Sequence, residues 1–350
     1  MNVKELTIEE AGFDFTLIKS YSGYYVDDDN LLKSASGGAV SIISEAIVRR
    51  GGVVFGATYS DDYKRSEYKC VEKLEDLELL KGSKYCETAK EIIVDERSQN
   101  MYEVLEQTIK DNRLVLFIGL GCDVGVVKVL CERKNLDTSN LFTIDLLCHG
   151  ATMPLVQHQY IEGLENKYHS KVKFFSTRYK KEGWTPPHIH VEFENGFVYD
   201  IPFHESEYGF AFSHYSKPAC YSCKFKGADH KADITCGDFW GLSKSMSGWN
   251  DNGVSIMLVK TLKGNELIEM IDKDRYHIEE ADTSFALQHN QMYYKSRQKD
   301  EHYEQFGKNL MRVGLHYAIK HYPASPKVRI KRLIKNTICS VADLVQKRKT

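Results

Sequence analysis

The stretch Leu114-Val-Leu-Phe-Ile-Gly-Leu-Gly-Cys122 decides the fold, because five consecutive apolar residues run directly into a glycine-rich turn. An unbroken apolar run of this length is typical of a strand that is buried on both faces. A helix is predicted near Val124–Cys131, and a second strand, Leu141–Leu147, ends immediately before Cys148. Strand, helix and strand in this order predict parallel strands that are joined by a crossover helix.

The same alternation continues on the N-terminal side of this unit. Apolar residues at helical spacing predict a helix over Ala39–Arg50, which Gly51-Gly52 ends, and a strand over Val53–Tyr59 follows. A further helix is predicted over Met101–Lys110, directly before the central apolar strand.

Beyond about residue 171 the pattern changes to that of antiparallel strands. Strands are predicted over Val172–Arg178, His188–Phe193 and Phe197–Ile201, with Glu194-Asn-Gly196 as a hairpin turn, and further strands near Ile234 and Ser255–Lys260. We therefore predict an α/β fold: a largely parallel sheet layer with helices, plus a mixed antiparallel β-rich portion that carries a Cys-x-x-Cys loop. Four segments are expected: a short extension over 1–31, an α/β domain over 32–170, a β-rich domain over 171–285 and a helical region over 286–350.

The formal net charge of −2 hides two regions of opposite sign. The tail 327–350 carries eight basic residues against Asp343 alone, a charge of +7, so the rest of the chain carries about −9. An acidic body repels phosphate backbones, which argues against nucleic-acid binding.

The basic tail also has an apolar stripe. Its apolar residues recur at helical spacing, at Ile330, Leu333, Ile334, Ile338, Val341, Leu344 and Val345. This pattern predicts peripheral contact with an anionic membrane surface, and a terminal helix docked on the acidic body is the alternative.

The first residues are charged and lack the apolar core of a signal peptide, which predicts a cytoplasmic location, with peripheral contact at the inner face of the membrane. The cytoplasm keeps thiols reduced, so the nine cysteines are expected to bind metal, to do redox chemistry or to pack in the core. Cys236 is a spare ligand candidate. Ordinary packing positions are expected for Cys70, Cys86, Cys131 and Cys339.

Four cysteines stand in distinctive contexts. Cys122 and Cys148 each follow a predicted parallel strand, and Cys220 and Cys223 form a Cys-x-x-Cys pair. Because ligands of open α/β sheets bind at the carboxyl ends of the strands, Cys122 and Cys148 are predicted to be neighbours. Four thiolates suit an iron–sulfur cluster or zinc, and spacing alone leaves both open.

Several motifs then occur in order between about residues 32 and 270. They are Ser36-Gly-Gly, Arg50-Gly-Gly-Val-Val-Phe-Gly56, Gly82-Ser-Lys-Tyr85, Asp145-x-x-Cys148-His-Gly150, Lys180-x-x-Gly-Trp184, Cys220-x-x-Cys-Lys-Phe-Lys-Gly227, Ala232-Asp-Ile-Thr-x-Gly-Asp-Phe-Trp-Gly241 and Gly253-x-Ser255. With these motifs the chain resembles the beta subunits of deazaflavin-dependent (coenzyme F420) hydrogenases and dehydrogenases. The resemblance is to a bacterial branch that is associated with polysaccharide biosynthesis and lacks the N-terminal ferredoxin module.

The resemblance implies an iron–sulfur flavoprotein oxidoreductase that passes electrons between FAD, a 4Fe–4S cluster and an external carrier or substrate. Its cluster ligands would be Cys122, Cys148, Cys220 and Cys223, and use of the deazaflavin coenzyme itself is left open. The first 31 residues contain no cysteine, so electrons are expected from a separate carrier such as a ferredoxin, or from a reduced nicotinamide or deazaflavin. A glycan or sugar nucleotide is the expected substrate.

Two glycine turns are cofactor-binding candidates under this resemblance. Ser36, Gly37 and Gly38 precede a predicted helix, whose free N–H groups favour a flavin phosphate; a plain serine cap with a tight turn is the alternative. Ser83 and Lys84 follow Gly82. Lys84 could face the flavin as a catalytic cation or remain a solvated turn lysine.

Other candidates have equally plain alternatives. His149 could donate a proton near the flavin or simply bond its own loop. Asp238 and Trp240 could hold a ribityl hydroxyl and stack on a ring, or form a tight buried turn. An anionic substrate could be bound by three basic residues that otherwise form a solvated strand end, namely Arg178, Lys180 and Lys181.

The turn before Cys122 departs from the family pattern. The family has Gly-Thr-Pro-Cys-Gln, whereas this chain has Gly119-Leu-Gly-Cys122-Asp123. Gly119 remains a cofactor-binding candidate, and the Asp123 carboxylate is expected to alter flavin or substrate contacts. The altered turn and the missing ferredoxin module favour a rival function, a non-catalytic scaffold stabilised by zinc or iron–sulfur in glycan assembly, which the four retained cysteines oppose.

Overall fold

The structure is a computed structural model that describes residues 19–323. Its strands are β1 Lys19–Tyr25, β2 Val53–Tyr59, β3 Ser66–Val71, β4 Thr88–Val94, β5 Arg97–Asn100, β6 Val115–Leu120, β7 Leu141–Leu146, β8 Val172–Tyr179, β9 His188–Phe193, β10 Val198–Pro202, β11 Ile234–Asp238, β12 Ser255–Val259 and β13 Tyr276–Glu280. Its helices are α1 Asp28–Lys33, α2 Ala39–Arg49, α3 Met101–Lys110, α4 Gly121–Lys134, α5 Pro154–Tyr168, α6 Glu207–His214, α7 Leu262–Glu269, α8 Thr283–His289, α9 Tyr303–Arg312 and α10 Leu315–Lys320. Short 3-10 turns cover Glu75–Leu80, Phe203–Glu205, Pro218–Ser222, Gly227–Asp229 and Gln291–Tyr293.

A ten-stranded mixed sheet forms the body of the molecule, in the order β13-β1-β12-β11-β7-β6-β2-β3-β4-β5. The four central strands β11, β7, β6 and β2 run parallel to one another. Antiparallel strands flank them, with β12 beside β11 and β3 beside β2. The predicted α/β class with a parallel central layer is confirmed.

The central strand β6 is buried on both faces, as its unbroken apolar run predicts. Leu116 and Ile118 pack into the cluster that includes Ile43 of α2. Their neighbours Val115 and Phe117 face the opposite layer, with side chains of α3 and α4. Because successive side chains of a strand point to opposite faces, a strand between two helical layers must be apolar throughout.

The helix after β6 is longer than the sequence indicates, because it begins at Gly121 rather than near Val124. Its first turn contains Cys122, and the carboxylate of Asp123 accepts the N–H of Leu120 at 3.2 Å. A carboxylate that satisfies a free N–H stabilises a helix start, so the glycine turn is absorbed into the helix.

A second, three-stranded antiparallel sheet has the order β10-β9-β8. It contains the three strands predicted beyond residue 171, each within one or two residues of the predicted bounds. The chain then returns to the main sheet through β11 and β12, so strands from both sides of residue 170 share one sheet. The position of a domain boundary there stays a prediction.

One compact unit extends through Lys299 and a second begins at Asp300. Within the second unit, α9 buries Phe306 and Leu310, and the hydroxyl of Tyr322 donates to Asp300 at 2.6 Å. Over residues 19–323, no helix is long and apolar enough to cross a bilayer. The basic tail 327–350 and its predicted membrane contact lie outside the described residues.

The buried carboxylate of Asp233 joins strand β7 to the start of helix α7 by hydrogen bonds. One carboxylate oxygen accepts the N–H and the hydroxyl of Thr143 at 2.8 and 2.7 Å, and the other accepts the hydroxyl of Thr261 at 2.8 Å. Thr143 lies in β7, and Thr261 caps α7. Asp233 is 2% exposed, so its bonds are protected from water and contribute more than surface bonds do.

We predict that Asp233→Ala lowers the free energy of unfolding by about 2–4 kcal/mol, because the buried N–H and hydroxyl of Thr143 and the partly buried hydroxyl of Thr261 lose their acceptor. Chemical denaturation under reducing conditions measures the change. Asp229→Ala is the matched control, since this exposed carboxylate lies 3.8 Å from Lys231, and it is expected to change stability by less than about 0.5 kcal/mol. Equal effects of the two variants would contradict the internal role of Asp233.

Candidate functional site

Two of the four cysteines lie where adjacent parallel strands end. β6 and β7 pair in register, with Leu120 opposite Leu146. Cys122 follows β6 in the first turn of α4, and Cys148 follows β7 by two residues. The predicted proximity of Cys122 and Cys148 therefore comes directly from the parallel register of their strands.

The Cys220 turn packs against the loop that carries Cys148. The N–H of Lys217 donates to the carbonyl of Ala151 at 2.8 Å, which fixes the two segments side by side. Gly150, at φ +110°, comes so close that an added Cβ would lie 3.2 Å from Cys220 Cβ. Glycine suits this position, because an L side chain would be strained there and would meet Cys220. The N–H of Gly150 donates to the sulfur of Cys148 at 3.2 Å.

Phe225 joins the Cys223 segment to the helix of Cys122. A Cβ on Gly125 would lie 2.1 Å from the Phe225 ring, and one on Gly121 would lie 3.1 Å from Phe225 Cβ. These glycines are one helical turn apart and leave a groove on α4 that the phenylalanine fills. All four cysteines are thus brought together by three segments that contact one another through glycines.

The four thiols interact electrostatically. Burial, Asp123 and then the thiol of Cys148 raise the pKa of Cys122 to about 12. Burial raises the pKa of Cys148 to about 11, with Cys220 and Cys223 adding to the shift. Cys122 is exposed when the whole residue is considered, whereas the other three cysteines are half-buried. Without a bound cation the thiols of Cys122 and Cys148 hold their protons at neutral pH.

A single zinc ion would need four sulfurs at about 2.3 Å from one point. Within residues 19–323, no three His, Cys, Asp or Glu side chains are grouped closely enough to hold one metal ion.

Asp123, which stands where the family turn has glutamine, has three bonding partners in the structure. Its carboxylate accepts the Tyr68 hydroxyl at 3.1 Å and pairs with Lys90 at 2.7 Å, in addition to capping Leu120. Gly119 packs nearby, because an added Cβ would lie 3.0 Å from the Tyr68 hydroxyl. With these partners, Asp123 acts in the helix start and not as a free carboxylate; whether Gly119 contacts a cofactor stays a prediction.

A buried carboxylate–imidazole pair lies under the cysteines, and sequence patterns did not single out its histidine. Asp145 Oδ2 and His230 Nδ1 are 2.7 Å apart, and neither side chain is more than 2% exposed. His230 stacks on Tyr293 with ring centroids 4.8 Å apart. A Cβ on Gly121 would lie 3.4 Å from the Asp145 carboxylate, so the pair also packs against the start of the Cys122 helix.

The Ser36 loop, Asp238 and Trp240 meet around Arg178. The guanidinium of Arg178 binds both oxygens of Asp238, at 2.9 and 3.1 Å, and donates to the carbonyl of Ala35 at 2.9 Å. It also lies 6.0 Å from the centroid of Trp240. Arg178 is 8% exposed and is therefore not part of a solvated strand end.

Lys180 holds the Ser36 loop from the other side. Its ammonium donates to the carbonyls of Leu31 and Ser36 at 2.6 and 2.7 Å. Burial and the charge of Arg178 lower the pKa of Lys180 to about 7. Of the three basic residues predicted to bind an anion, only Lys181 is exposed, and it pairs with Asp200 at 3.0 Å.

Gly37 and Gly38 fit the loop tightly between strands. A Cβ on Gly37 would lie 2.1 Å from the carbonyl oxygen of Gly23, and Gly38 has φ +90° against the ring of Tyr25. The hydroxyl of Ser36 donates to the carbonyl of Val254 at 2.8 Å. Close packing thus explains both glycines, and their predicted contact with a phosphate stays a prediction.

Ser83 and Lys84 lie in a neighbouring turn. The ammonium of Lys84 donates to backbone carbonyls that end the 3-10 turn Glu75–Leu80, including Lys81 at 2.6 Å and Leu80 at 3.0 Å. The carbonyl of Ser83 accepts the hydroxyl of Thr177 at 2.7 Å. Burial lowers the pKa of Lys84 to about 7. Its amine is occupied by these carbonyls, and its catalytic role stays a prediction.

His149 stands between the cysteines and the Arg178 group. Burial of its ring and the positive charges of Arg297 and Lys226 lower the pKa of His149 to about 4, although part of the residue reaches solvent. The imidazole is therefore uncharged at neutral pH. Sequence patterns gave no signal for Arg297, which lies far along the chain in an irregular segment.

We predict that Gly125→Ala lowers the free energy of unfolding by about 1–3 kcal/mol, because the added methyl group displaces Phe225. Gly163→Ala in α5 is the matched control: an added Cβ there meets nothing within 4 Å, so better helix propensity should stabilise the protein by about 0.5–1 kcal/mol. Opposite signs in chemical denaturation are expected, and stabilisation by both substitutions would contradict the Phe225 contact.

Comparisons with known proteins agree with this architecture. Residues 112–284 match the family model for the C-terminal part of the coenzyme F420 hydrogenase/dehydrogenase beta subunit. Among solved structures, a chain of the F420-reducing [NiFe] hydrogenase complex from Methanosarcina barkeri matches with a TM-score of 0.52 and 17% identity, over 86% of this chain and 89% of that chain. That identity establishes a shared fold alone.

No protein of curated function matches this sequence. The matched segment 112–284 contains all four cysteines, the Phe225 contact and the Asp145–His230 pair. Over that segment, the chain is similar to the C-terminal part of the coenzyme F420 hydrogenase/dehydrogenase beta subunit.

Proposed function

We propose that this chain is an iron–sulfur flavoprotein oxidoreductase, in which Cys122, Cys148, Cys220 and Cys223 hold a 4Fe–4S cluster beside bound FAD. The observation that carries the proposal is the convergence of these cysteines from three separate segments, at the edge where β6 and β7 end. Glycines at each contact between the segments favour a built site over a chance grouping of buried thiols.

The donor set suits a 4Fe–4S cluster, and the family resemblance favours a cluster over zinc. All four donors are cysteines, which is the usual ligand set of a 4Fe–4S cluster. The N–H of Gly150, which donates to Cys148, is the kind of bond that tunes a cluster's potential.

The residues predicted to contact a flavin are partly brought together. Arg178 links the Ser36 loop to Asp238 and lies against Trp240, and its Nη1 is 3.4 Å from the Tyr85 hydroxyl. A buried guanidinium among aromatic rings suits a flavin, whose ring is flat and whose tail carries phosphates. FAD there would supply both hydride and single-electron transfer.

Arg178, Lys180 and His149 would then position the reacting groups and keep water away from them. Arg178 and Lys180 fix the Ser36 loop, and burial keeps their bonds away from water. His149 lies beside Cys148 as an uncharged imidazole, which can accept a proton directly; the predicted donor role needs the ring's N–H or its less populated protonated form.

Cys122 is the ligand through which an external carrier would approach. It is exposed at the start of α4, whereas the other three ligands are half-buried. We therefore include a separate electron carrier, such as a ferredoxin or a reduced nicotinamide or deazaflavin, in the proposal. A setting in surface-polysaccharide biosynthesis, with a glycan or sugar-nucleotide substrate, rests on family analogy alone.

Cys220→Ser is expected to lose most of the bound iron and acid-labile sulfide, because a hydroxyl does not replace a thiolate as a cluster ligand. Cys70→Ser is the matched control, since Cys70 lies in β3 away from the four thiols and should leave both contents unchanged. Iron and sulfide assays on protein purified without oxygen make the comparison. Undiminished iron in Cys220→Ser would reject the ligand assignment.

Arg178→Gln is expected to weaken FAD binding at least about tenfold, because the Ser36 loop and Asp238 lose the group that joins them. Lys181→Gln removes a charge two residues past the end of β8 but touches only Asp200, so it serves as the control. Quenching of FAD fluorescence on titration gives the dissociation constants. Equal constants for wild type and Arg178→Gln would place the flavin elsewhere.

A further inference from the structure

We propose that Lys226 and Arg297, together with Arg178, form a recess beside Cys148 that binds the phosphate or carboxylate group of a small anionic substrate. As a substrate site, this recess rests on the proposed redox function. As a site for an oxyanion, it depends only on the side chains described below.

The rings of Phe212 and Tyr85 connect the members of the recess. Phe212 lies 5.2 Å from the guanidinium of Arg297 and 6.3 Å from the ring of His149. Tyr85 packs on Phe212 with centroids 4.6 Å apart, and its hydroxyl is 3.4 Å from Arg178. These contacts link Arg297, His149 and Arg178 through two aromatic rings.

Two of these cations lack a carboxylate partner. Arg178 is neutralised by Asp238 through two bonds. Lys226, by contrast, donates to the carbonyls of Cys148 and Met292, and Arg297 donates to Ser216 Oγ and to the carbonyl of Ser213, both at 2.9 Å. Within the described part of the chain, the bonds of Lys226 and Arg297 thus go to neutral oxygens.

Both cations also keep donors free. An arginine has five N–H donors and a lysine has three, and the contacts above use two of each. The planar fork of an arginine is well suited to two oxygens of one phosphate or carboxylate. Burying a cation without a counter-charge costs free energy. A bound oxyanion would lower that cost by supplying the missing negative charge.

Part of this group of side chains reaches solvent. His149 is exposed, and Lys226 and Arg297 are half-buried. Because Lys226 binds the carbonyl of Cys148, an anion bound to Lys226 would lie beside the proposed cluster. The competing explanation is that Lys226 and Arg297 only balance the negative charge of thiolates at Cys148 and Cys220.

Isothermal titration calorimetry of inorganic pyrophosphate and of malonate, at fixed ionic strength and without oxygen, tests the recess. We expect one site on the wild-type protein, with affinity that falls at least about tenfold in Arg297→Gln, because charge-assisted bonds are lost. Lys231→Gln, an exposed lysine paired only loosely with Asp229, is the matched control and should bind as the wild type does. Arg297→Lys, which keeps the charge without the fork, should fall between the two.

Each result decides the question. Tighter binding of pyrophosphate or of malonate supports the recess and assigns the ligand to phosphates or to carboxylates. No binding by the wild type, or equal affinities for Arg297→Gln and Lys231→Gln, overturns it. A changed cluster potential in Arg297→Gln with unchanged anion affinity also overturns it in favour of charge balance. Iron and sulfide are assayed on the same samples, so anion binding without a cluster would reject the proposed function and leave the recess standing.

Discussion

The pairing of β6 with β7 is the constraint on which the candidate site depends. Parallel strands in register end at the same edge of a sheet, so the residues that follow them must be neighbours. Cys122 and Cys148 follow these two strands. Any change that shifted the register by one residue would turn the buried side chains of β6 to the wrong layer, so the core and the site are fixed together.

The remaining two ligands are delivered by close backbone approach. Gly150 lets the Cys220 turn rest on the Cys148 loop, and Gly121 with Gly125 lets Phe225 lie on the Cys122 helix. Polar contacts then hold these segments, as in the donation of Lys226 to the Cys148 carbonyl. The site is thus built from local contacts between loops, on an edge that the parallel strands define.

The sequence predicted the parts of this arrangement that depend on local pattern. Val53–Tyr59, Met101–Lys110 and the apolar strand after Leu114 were predictable, because burial on one or both faces leaves a clear periodicity. The strands β1, β4 and β5, which lie toward the two ends of the main sheet, were not identified, since they are short or largely polar and depend on their neighbours in the sheet. Likewise, the sequence identifies Arg178 only as a basic residue near the end of a strand, because its burial against Asp238 depends on the fold.

Partners that are distant in sequence explain the other gaps. His230 carries no motif that links it to Asp145, and Arg297 lies in an irregular segment, so neither position could be assigned to the site without the fold. Asp123 illustrates the converse case. Its bonds to Tyr68, Lys90 and Leu120 give it a structural role that the family pattern did not indicate, and its predicted effect on cofactor contacts stays a prediction.

The most direct test of the account is the cofactor content of the full chain purified without oxygen. Iron, zinc, acid-labile sulfide and flavin are measured together with the absorption spectrum before and after reduction by dithionite. The account predicts about four irons and four sulfides per chain, with FAD whose absorption bleaches on reduction. One zinc per chain without iron or flavin would contradict it and leave a metal-stabilised scaffold.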